Sequence, residues 1–265
     1  MPPRTPTPDR AHGAAGARRS TGKPWVGGDR RPQRIEQPET GRYRSRGERH
    51  FELPKGIVEE LRVGSAEARP GARRAPATLE RRMANAAMAY ERDRYQDALS
   101  ALKPVLDAAP HSASVRELHG LILYRLGRWR AAAKELREFH ALSGSYDQHP
   151  VIADCERALG RPDRVRSLWD EIRRAGVDRE VLVEGRLVMA GTLADEGKFE
   201  EAIELLRPEG KLRRNPDLAH LRQWYALADL YERAGDLPRA RELFARVAQA
   251  APDLLDAPER LAALR

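Results

Sequence analysis

The stretch from Trp224 to Pro252, WYALADLYERAGDLPRARELFARVAQAAP, decides the fold of the chain. Its apolar residues recur at spacings of three and four, the period of an amphipathic helix, on both sides of Gly235. The residues that share this pattern are Trp224, Leu227, Ala228 and Tyr231 before the glycine, and Ala240, Phe244 and Val247 after it. The stretch therefore predicts a helical hairpin. A hairpin of this kind cannot bury its apolar face alone, so it also predicts neighbouring hairpins.

The spacing resembles the tetratricopeptide repeat (TPR), a helix–turn–helix unit of about 34 residues with the pattern W-x2-L-G-x2-Y, then A-x3-F and a closing Pro. Six of these seven marks are present between Trp224 and Pro252, and Ala228 replaces the Gly. The stretch VIADCERALGRPDRV at residues 151–165 also resembles actinobacterial cytoplasmic proteins built from TPR units.

The same marks recur upstream in register. The small residue of the second helix is Ala98, Ala132, Val165, Ala202 and Ala240 in successive units, at spacings of 34, 33, 37 and 38. The turn position holds Asp93, Gly127, Gly160, Gly197 and Gly235. Small residues let helices approach closely. The resemblance implies an all-α fold, a right-handed α-solenoid of about five TPR-like helical hairpins over residues 78–265. A capping helix is expected at 254–264, opened by a capping box from Asp256 to Glu259.

The N-terminal part has a different composition. Residues 1–78 contain 10 Pro and 10 Gly, and their 17 Lys and Arg against 9 Asp and Glu account for the whole net charge of +8. Residues 1–50 hold too few apolar side chains to offset their ordering entropy, so we predict a disordered, basic Arg/Pro/Gly-rich tail.

A short amphipathic helix is predicted at 51–64, followed by a linker at 65–77. Leu53, Ile57, Val58 and Leu61 fall on one face at helical spacing. The helix is too short to be stable in isolation. It either docks on the solenoid or binds a partner and folds on contact, and the sequence leaves both possibilities open.

The family resemblance implies that a ligand lies in the groove lined by the first helix of each hairpin. Tyrosines beside mixed charges suit an extended peptide, because aromatic rings give contact area and charges fix the register. The alternative is an ordinary solvated helix face. The residues predicted to face outward into the groove are Tyr90, Glu117, Leu121, Tyr124, Arg125, Arg157, Arg222, Tyr225 and Asp229.

The sequence contains none of the common motifs for catalysis or metal binding. Cys155 is the only cysteine, so no intrachain disulfide is expected, and no H-E-x-x-H or G-x-S-x-G motif occurs. We therefore predict no catalytic residue, no cofactor and no metal site. No apolar run is long enough to span a membrane, and the chain is expected to be cytoplasmic.

The predicted function is that of a non-enzymatic adaptor or scaffold that binds a protein or peptide in the groove of a TPR array. The alternative is a protein that contacts RNA or DNA weakly through residues 1–50 and recruits a partner with the array. A basic segment attracts phosphates at long range, which is why this alternative stays open.

Overall fold

The structure is a computed structural model that describes Leu53 and residues 55–67, 75–208 and 215–264. The predicted tail at 1–50 lies outside the described residues. The described part is all-α, with no strand among its elements. Its helices are α1 Lys55–Glu67, α2 Pro76–Glu91, α3 Tyr95–Ala108, α4 Ala113–Arg125, α5 Trp129–Ser143, α6 His149–Ala158, α7 Pro162–Arg174, α8 Arg179–Asp195, α9 Phe199–Leu206, α10 Leu218–Arg233, α11 Leu237–Ala250 and α12 Ala257–Ala263.

Helices α2 to α11 form five hairpins that stack in chain order. The first helices lie side by side, α2 with α4, α6 with α8 and α8 with α10. Each second helix packs against its own first helix and against the next helix in the chain, up to α11 with α12. The predicted α-solenoid is therefore confirmed. This arrangement places the first helices in one row along the array.

The turn of each hairpin has the backbone conformation that its residue type predicts. Gly127, Gly160, Gly197 and Gly235 have φ between +70° and +85°. The first hairpin has Asp93 at the same position with φ +57°, which Asp adopts more readily than most residues.

Burial agrees with the predicted register. The aligned small residues of the second helices, Ala98, Ala132, Val165, Ala202 and Ala240, are all 0% exposed. Trp169 and Trp224 belong to the core that joins the later hairpins. The helices are in close contact in the second hairpin as well, since a Cβ added to Gly120 on α4 would lie 2.5 Å from Leu136 Cδ2 on α5. The small residues thus fix how near the helices come.

The bounds of three helices differ from the predictions. Helix α1 begins at Lys55 and continues to Glu67, beyond the predicted 51–64, and α2 begins at Pro76 inside the predicted linker. The C-terminal helix spans Ala257–Ala263 rather than 254–264. The predicted capping box is wrong, because Asp256 makes no side-chain cap bond there. Its Oδ1 instead accepts a hydrogen bond from the Tyr225 hydroxyl on α10.

Candidate binding surface on the first helices

Most of the side chains predicted to face the groove are buried. Six of the nine are at most 7% exposed, namely Glu117 (1%), Leu121 (4%), Tyr124 (7%), Arg157 (5%), Tyr225 (3%) and Asp229 (4%). The predicted outward position is wrong for these six. Because successive first helices lie side by side, their side chains meet residues of the next helix before they reach solvent. Tyr90, Arg125 and Arg222 are partly exposed.

The buried polar residues pair with one another from hairpin to hairpin. The Tyr124 hydroxyl donates to Asp154 Oδ2 at 2.6 Å. Arg157 Nη1 donates to Asp154 Oδ1 at 3.2 Å, and its Nε donates to Asp195 Oδ2 at 2.7 Å. Helices α4, α6 and α8 are tied together by these contacts. Burial and the neighbouring Asp154 carboxylate raise the pKa of Tyr124 well above its usual value, so the phenol stays neutral and donates.

The same pattern continues to the C-terminal cap. Asp195 Oδ1 lies 3.8 Å from Arg233 Nη2, and Arg233 Nη1 lies 3.6 Å from Asp229 Oδ2. Arg260 on α12 then donates to Asp229 Oδ1 at 2.9 Å and, through Nε, to Glu232 Oε2 at 3.0 Å. An alternating series of acids and bases therefore runs from α4 to α12. We call the set Tyr124, Asp154, Arg157, Asp195, Asp229, Glu232, Arg233 and Arg260 the ionic ladder.

Two further pairs link neighbouring hairpins outside the ladder. Arg222 Nη1 on α10 lies 2.7 Å from Glu184 Oε1 on α8. Burial raises the pKa of Glu184, although Arg222 acts in the opposite direction. At the N-terminal end, Arg125 Nη2 lies 3.3 Å from Asp93 Oδ1, and its guanidinium stands 4.7 Å from the ring centre of Tyr95. Charges of both signs thus remain at the partly exposed margin of the first-helix row.

One end of the row is covered by the chain itself. Helix α1 packs against α2 and α4, two first helices, and against α3. Ile57 and Leu61 of α1 are 3% and 0% exposed and belong to the same core cluster as Leu79 and Met83 of α2. The amphipathic face was visible in the sequence, whereas its docking surface was not.

The structure also shows a cleft that sequence reasoning missed. It has a volume of about 540 Å³ and is open to solvent between α9, α10 and α11. Its lining consists of Glu200, Glu201, Ile203, Glu204, Arg207, Tyr231, Ala234, Asp236 and Arg239. The run of glutamates at the start of α9 was the only sequence signal, and it does not show that the neighbouring helices leave a hollow beside it.

Several chemical features of the described residues bear on the site predictions. Cys155 is buried, and burial raises the pKa of its thiol far above the usual value, which disfavours the reactive thiolate. No group of three or more His, Cys, Asp or Glu side chains within the described ranges is arranged to hold a metal ion. Among the helices that the structure describes, none combines the length and the apolar composition needed to cross a lipid bilayer.

Comparisons with known proteins agree with this architecture. A family model described as tetratricopeptide repeat matches residues 82–145 and 187–254, which leaves the less regular third hairpin between the two matches. The chain is similar to the structure of TTC0263, a thermophilic TPR protein of Thermus thermophilus, with 18% identity and a TM-score of 0.57. That match covers 70% of this chain and 98% of TTC0263.

Two other solved structures are also similar. MamA has 16% identity and a TM-score of 0.46, covering 66% of this chain and 93% of its own. YrrB, described as a TPR protein with an unusual peptide-binding site, has 15% identity and a TM-score of 0.43, covering 77% and 98%. A comparison with curated proteins returned no match. The hairpins repeat in register, their turn residues have positive φ, and two segments match the family model. This chain therefore belongs to the tetratricopeptide repeat family.

Proposed function

We propose that the chain is a non-enzymatic cytoplasmic adaptor that binds a protein or peptide partner along its row of first helices. The observation that carries the proposal is the row itself, in which α2 contacts α4, α6 contacts α8 and α8 contacts α10, while the Tyr124–Asp154 hydrogen bond joins α4 to α6. Solenoids of stacked repeats present extended surfaces of this kind to their partners. The acidic cleft between α9, α10 and α11 lies beside the row and is a second surface on the same array.

Recognition on this row depends on charges outside the ionic ladder, because the charges of the ladder are already paired with one another. Glu184 and Arg222 lie outside the ladder, retain 19% and 14% side-chain exposure and carry opposite charges on adjacent first helices. A partner with a complementary pair of charges is oriented by them. Electrostatic complementarity of this sort selects partners and fixes register more than it adds affinity.

A charge swap tests this surface while preserving the ion pair. In the double variant Glu184→Arg and Arg222→Glu, the pair re-forms with reversed polarity, so we expect an unchanged melting temperature. Affinity for a protein partner should fall about tenfold or more, because like charges then oppose each other across the interface. Wild-type and swapped full-length chains serve as affinity baits, and the enriched protein is then purified for titration against both.

The matched control is the same swap on a second helix. Glu242 and Arg246 on α11 form an exposed pair, with Arg246 Nη2 3.1 Å from Glu242 Oε1. Swapping them should leave partner binding unchanged. If the wild-type chain enriches no protein over the Glu184/Arg222 swap, or if both swaps reduce binding equally, the proposed surface is wrong.

The second candidate is nucleic-acid binding through residues 1–50, which contain 12 Lys and Arg against 5 Asp and Glu. Binding of the full chain to a single-stranded oligonucleotide should weaken at least about tenfold between about 50 and about 200 mM salt, because phosphate neutralisation releases counterions. Deleting residues 1–50 should abolish it. Fluorescence anisotropy measures both effects, and absent or salt-insensitive binding argues against this function.

A further inference from the structure

The seat of α1 on the array has the features of a specific recognition site. We call the surface formed by α2, α4 and the turn from Ala109 to Ser112 the α1 seat. It receives the face of α1 that carries Ile57 and Leu61, which are buried there in the N-terminal core cluster. Two apolar residues four positions apart on one helix are the usual anchors of a helix in a groove.

A carboxylate of α1 is held at a defined position in this seat. Glu60 Oε2 accepts a hydrogen bond from Ser112 Oγ at 2.6 Å and another from the Ser114 backbone N–H at 3.0 Å. Its Oε1 accepts from Ser114 Oγ at 3.1 Å. Ser112 is the N-cap residue of α4, so the carboxylate lies at the positive end of that helix. The seat therefore selects an acidic side chain as well as an apolar face.

The seat also selects a residue without a side chain. A Cβ added to Gly64 would lie 2.6 Å from Ala109 Cβ and 3.0 Å from Ala109 Cα. Backbone atoms cannot move aside as a flexible side chain can, so α1 approaches the turn this closely only through a glycine. Ile57, Glu60, Leu61 and Gly64 occupy positions i, i+3, i+4 and i+7, which lie on one face of a helix.

Helix α1 is a weak occupant of this seat. It has 13 residues, with Gly56 and Gly64 within it, and glycine disfavours helix relative to alanine. A helix of that length is marginal in water without its docking surface. Its occupancy therefore depends on its attachment to the array, which gives it a high effective concentration.

We propose that the α1 seat is a binding site for an amphipathic helix of a protein partner, and that α1 occupies it in cis. Counted from its first apolar residue, the partner helix carries a glutamate three positions later, a second apolar residue four positions later and a glycine seven positions later. It competes with α1 and displaces it from the array. The inference rests on the proposed adaptor function and assigns to it a partner motif.

A labelled peptide of residues 51–67 serves as the probe, titrated by fluorescence anisotropy against full-length chains. The variant Ile57→Asp with Leu61→Asp prevents the chain's own α1 from docking, so its empty seat should bind the peptide about tenfold or more tightly than the wild-type chain does. The matched control is Val63→Asp, which changes an α1 residue that is 48% exposed. Because α1 should stay docked in this variant, the Val63→Asp chain should bind the peptide as weakly as the wild-type chain does. A Glu60→Gln peptide should bind the empty seat at least about tenfold more weakly than the wild-type peptide.

A second variant keeps the test conclusive if the Ile57→Asp, Leu61→Asp chain does not fold. Gly64→Leu in the full chain undocks α1 by steric conflict with Ala109 and leaves all charges in place, and it should also open the seat to the wild-type peptide. The proposal is overturned if both folded variants bind the peptide no better than the wild type, or if the Gln peptide binds equally well. It is also overturned if the wild-type chain is a dimer that Gly64→Leu converts to monomers, since that result indicates exchange of α1 between copies. The Glu184/Arg222 swap tests the adaptor function at a different place, so either test can fail alone.

Discussion

Replacing Ala132 with Arg should lower the free energy of unfolding by about 4 kcal/mol or more, because overpacking costs about 1–3 kcal/mol and a buried unpaired charge adds to it. Ala132 lies on α5, is 0% exposed and occupies the small-residue position of the second hairpin. The contact between Gly120 and Leu136 shows how little space separates α4 from α5. Urea denaturation followed by circular dichroism measures the loss.

Ala131 provides the matched control one position earlier on the same helix. Ala131 is not buried, so Ala131→Arg should change the stability by no more than about 0.5 kcal/mol. The two variants have the same composition and net charge and differ only in the face of α5 that carries the arginine. Equal denaturation midpoints for both would contradict the assigned register of the second hairpin.

The repeat architecture was predictable because each mark is a local requirement. A small residue is needed wherever two helices touch, and a residue that tolerates positive φ is needed at each tight turn. These requirements recur at nearly constant spacing, so the register from Ala98 to Ala240 could be read without coordinates, and all five aligned positions are 0% exposed. The positions of helix ends were less predictable, because Asp256 could bond either the backbone of α12 or Tyr225 and takes the second partner.

The binding surface was predicted less well for a physical reason. A helical wheel shows which side of one helix is polar, but it does not show how close the next first helix lies. Tyr124 and Asp229 were predicted to point away from their own hairpins, and they contact residues from a neighbouring unit that bury them. The signal that could have shown this is the recurrence of complementary residue types about one repeat apart, as in Arg157 and Asp195 or Asp229 and Arg260.

For α1, the sequence showed the apolar face but not the two residues that make its docking specific. In the sequence, Glu60 does not differ from other charged residues of a short helix. The structure shows that its carboxylate accepts hydrogen bonds from Ser112 and Ser114. Gly64 looks like a helix-weakening residue until its approach to Ala109 is known. Both roles depend on residues about 45 to 54 positions away in the chain, and no local pattern contains that information.

The second large effect is expected at the centre of the ionic ladder. Arg157→Met should cost about 3–5 kcal/mol, the loss typical of removing one partner from a buried ion pair. The Arg157 side chain is 3% exposed and contacts both Asp154 and Asp195, which are supplied by α6 and α8. Methionine keeps most of the aliphatic stem, so the loss reports the missing charge rather than a large cavity. Denaturant titration gives the change in stability.

Two comparisons separate the ladder from a general effect of removing arginine. Arg164→Met on α7 removes a side chain that is 63% exposed and whose Nη1 lies 3.8 Å from Glu156 Oε1. This substitution should lower the free energy of unfolding by less than about 1 kcal/mol. Asp154→Asn should be costly in the wild-type chain but nearly neutral or stabilising beside Arg157→Met, since it removes the carboxylate charge that the arginine no longer balances. A coupling energy above about 1 kcal/mol in this double-mutant cycle is expected for residues in direct contact. Additive losses would mean that Asp154 and Arg157 stabilise the array independently, and that the alternating charges do not act as a connected series.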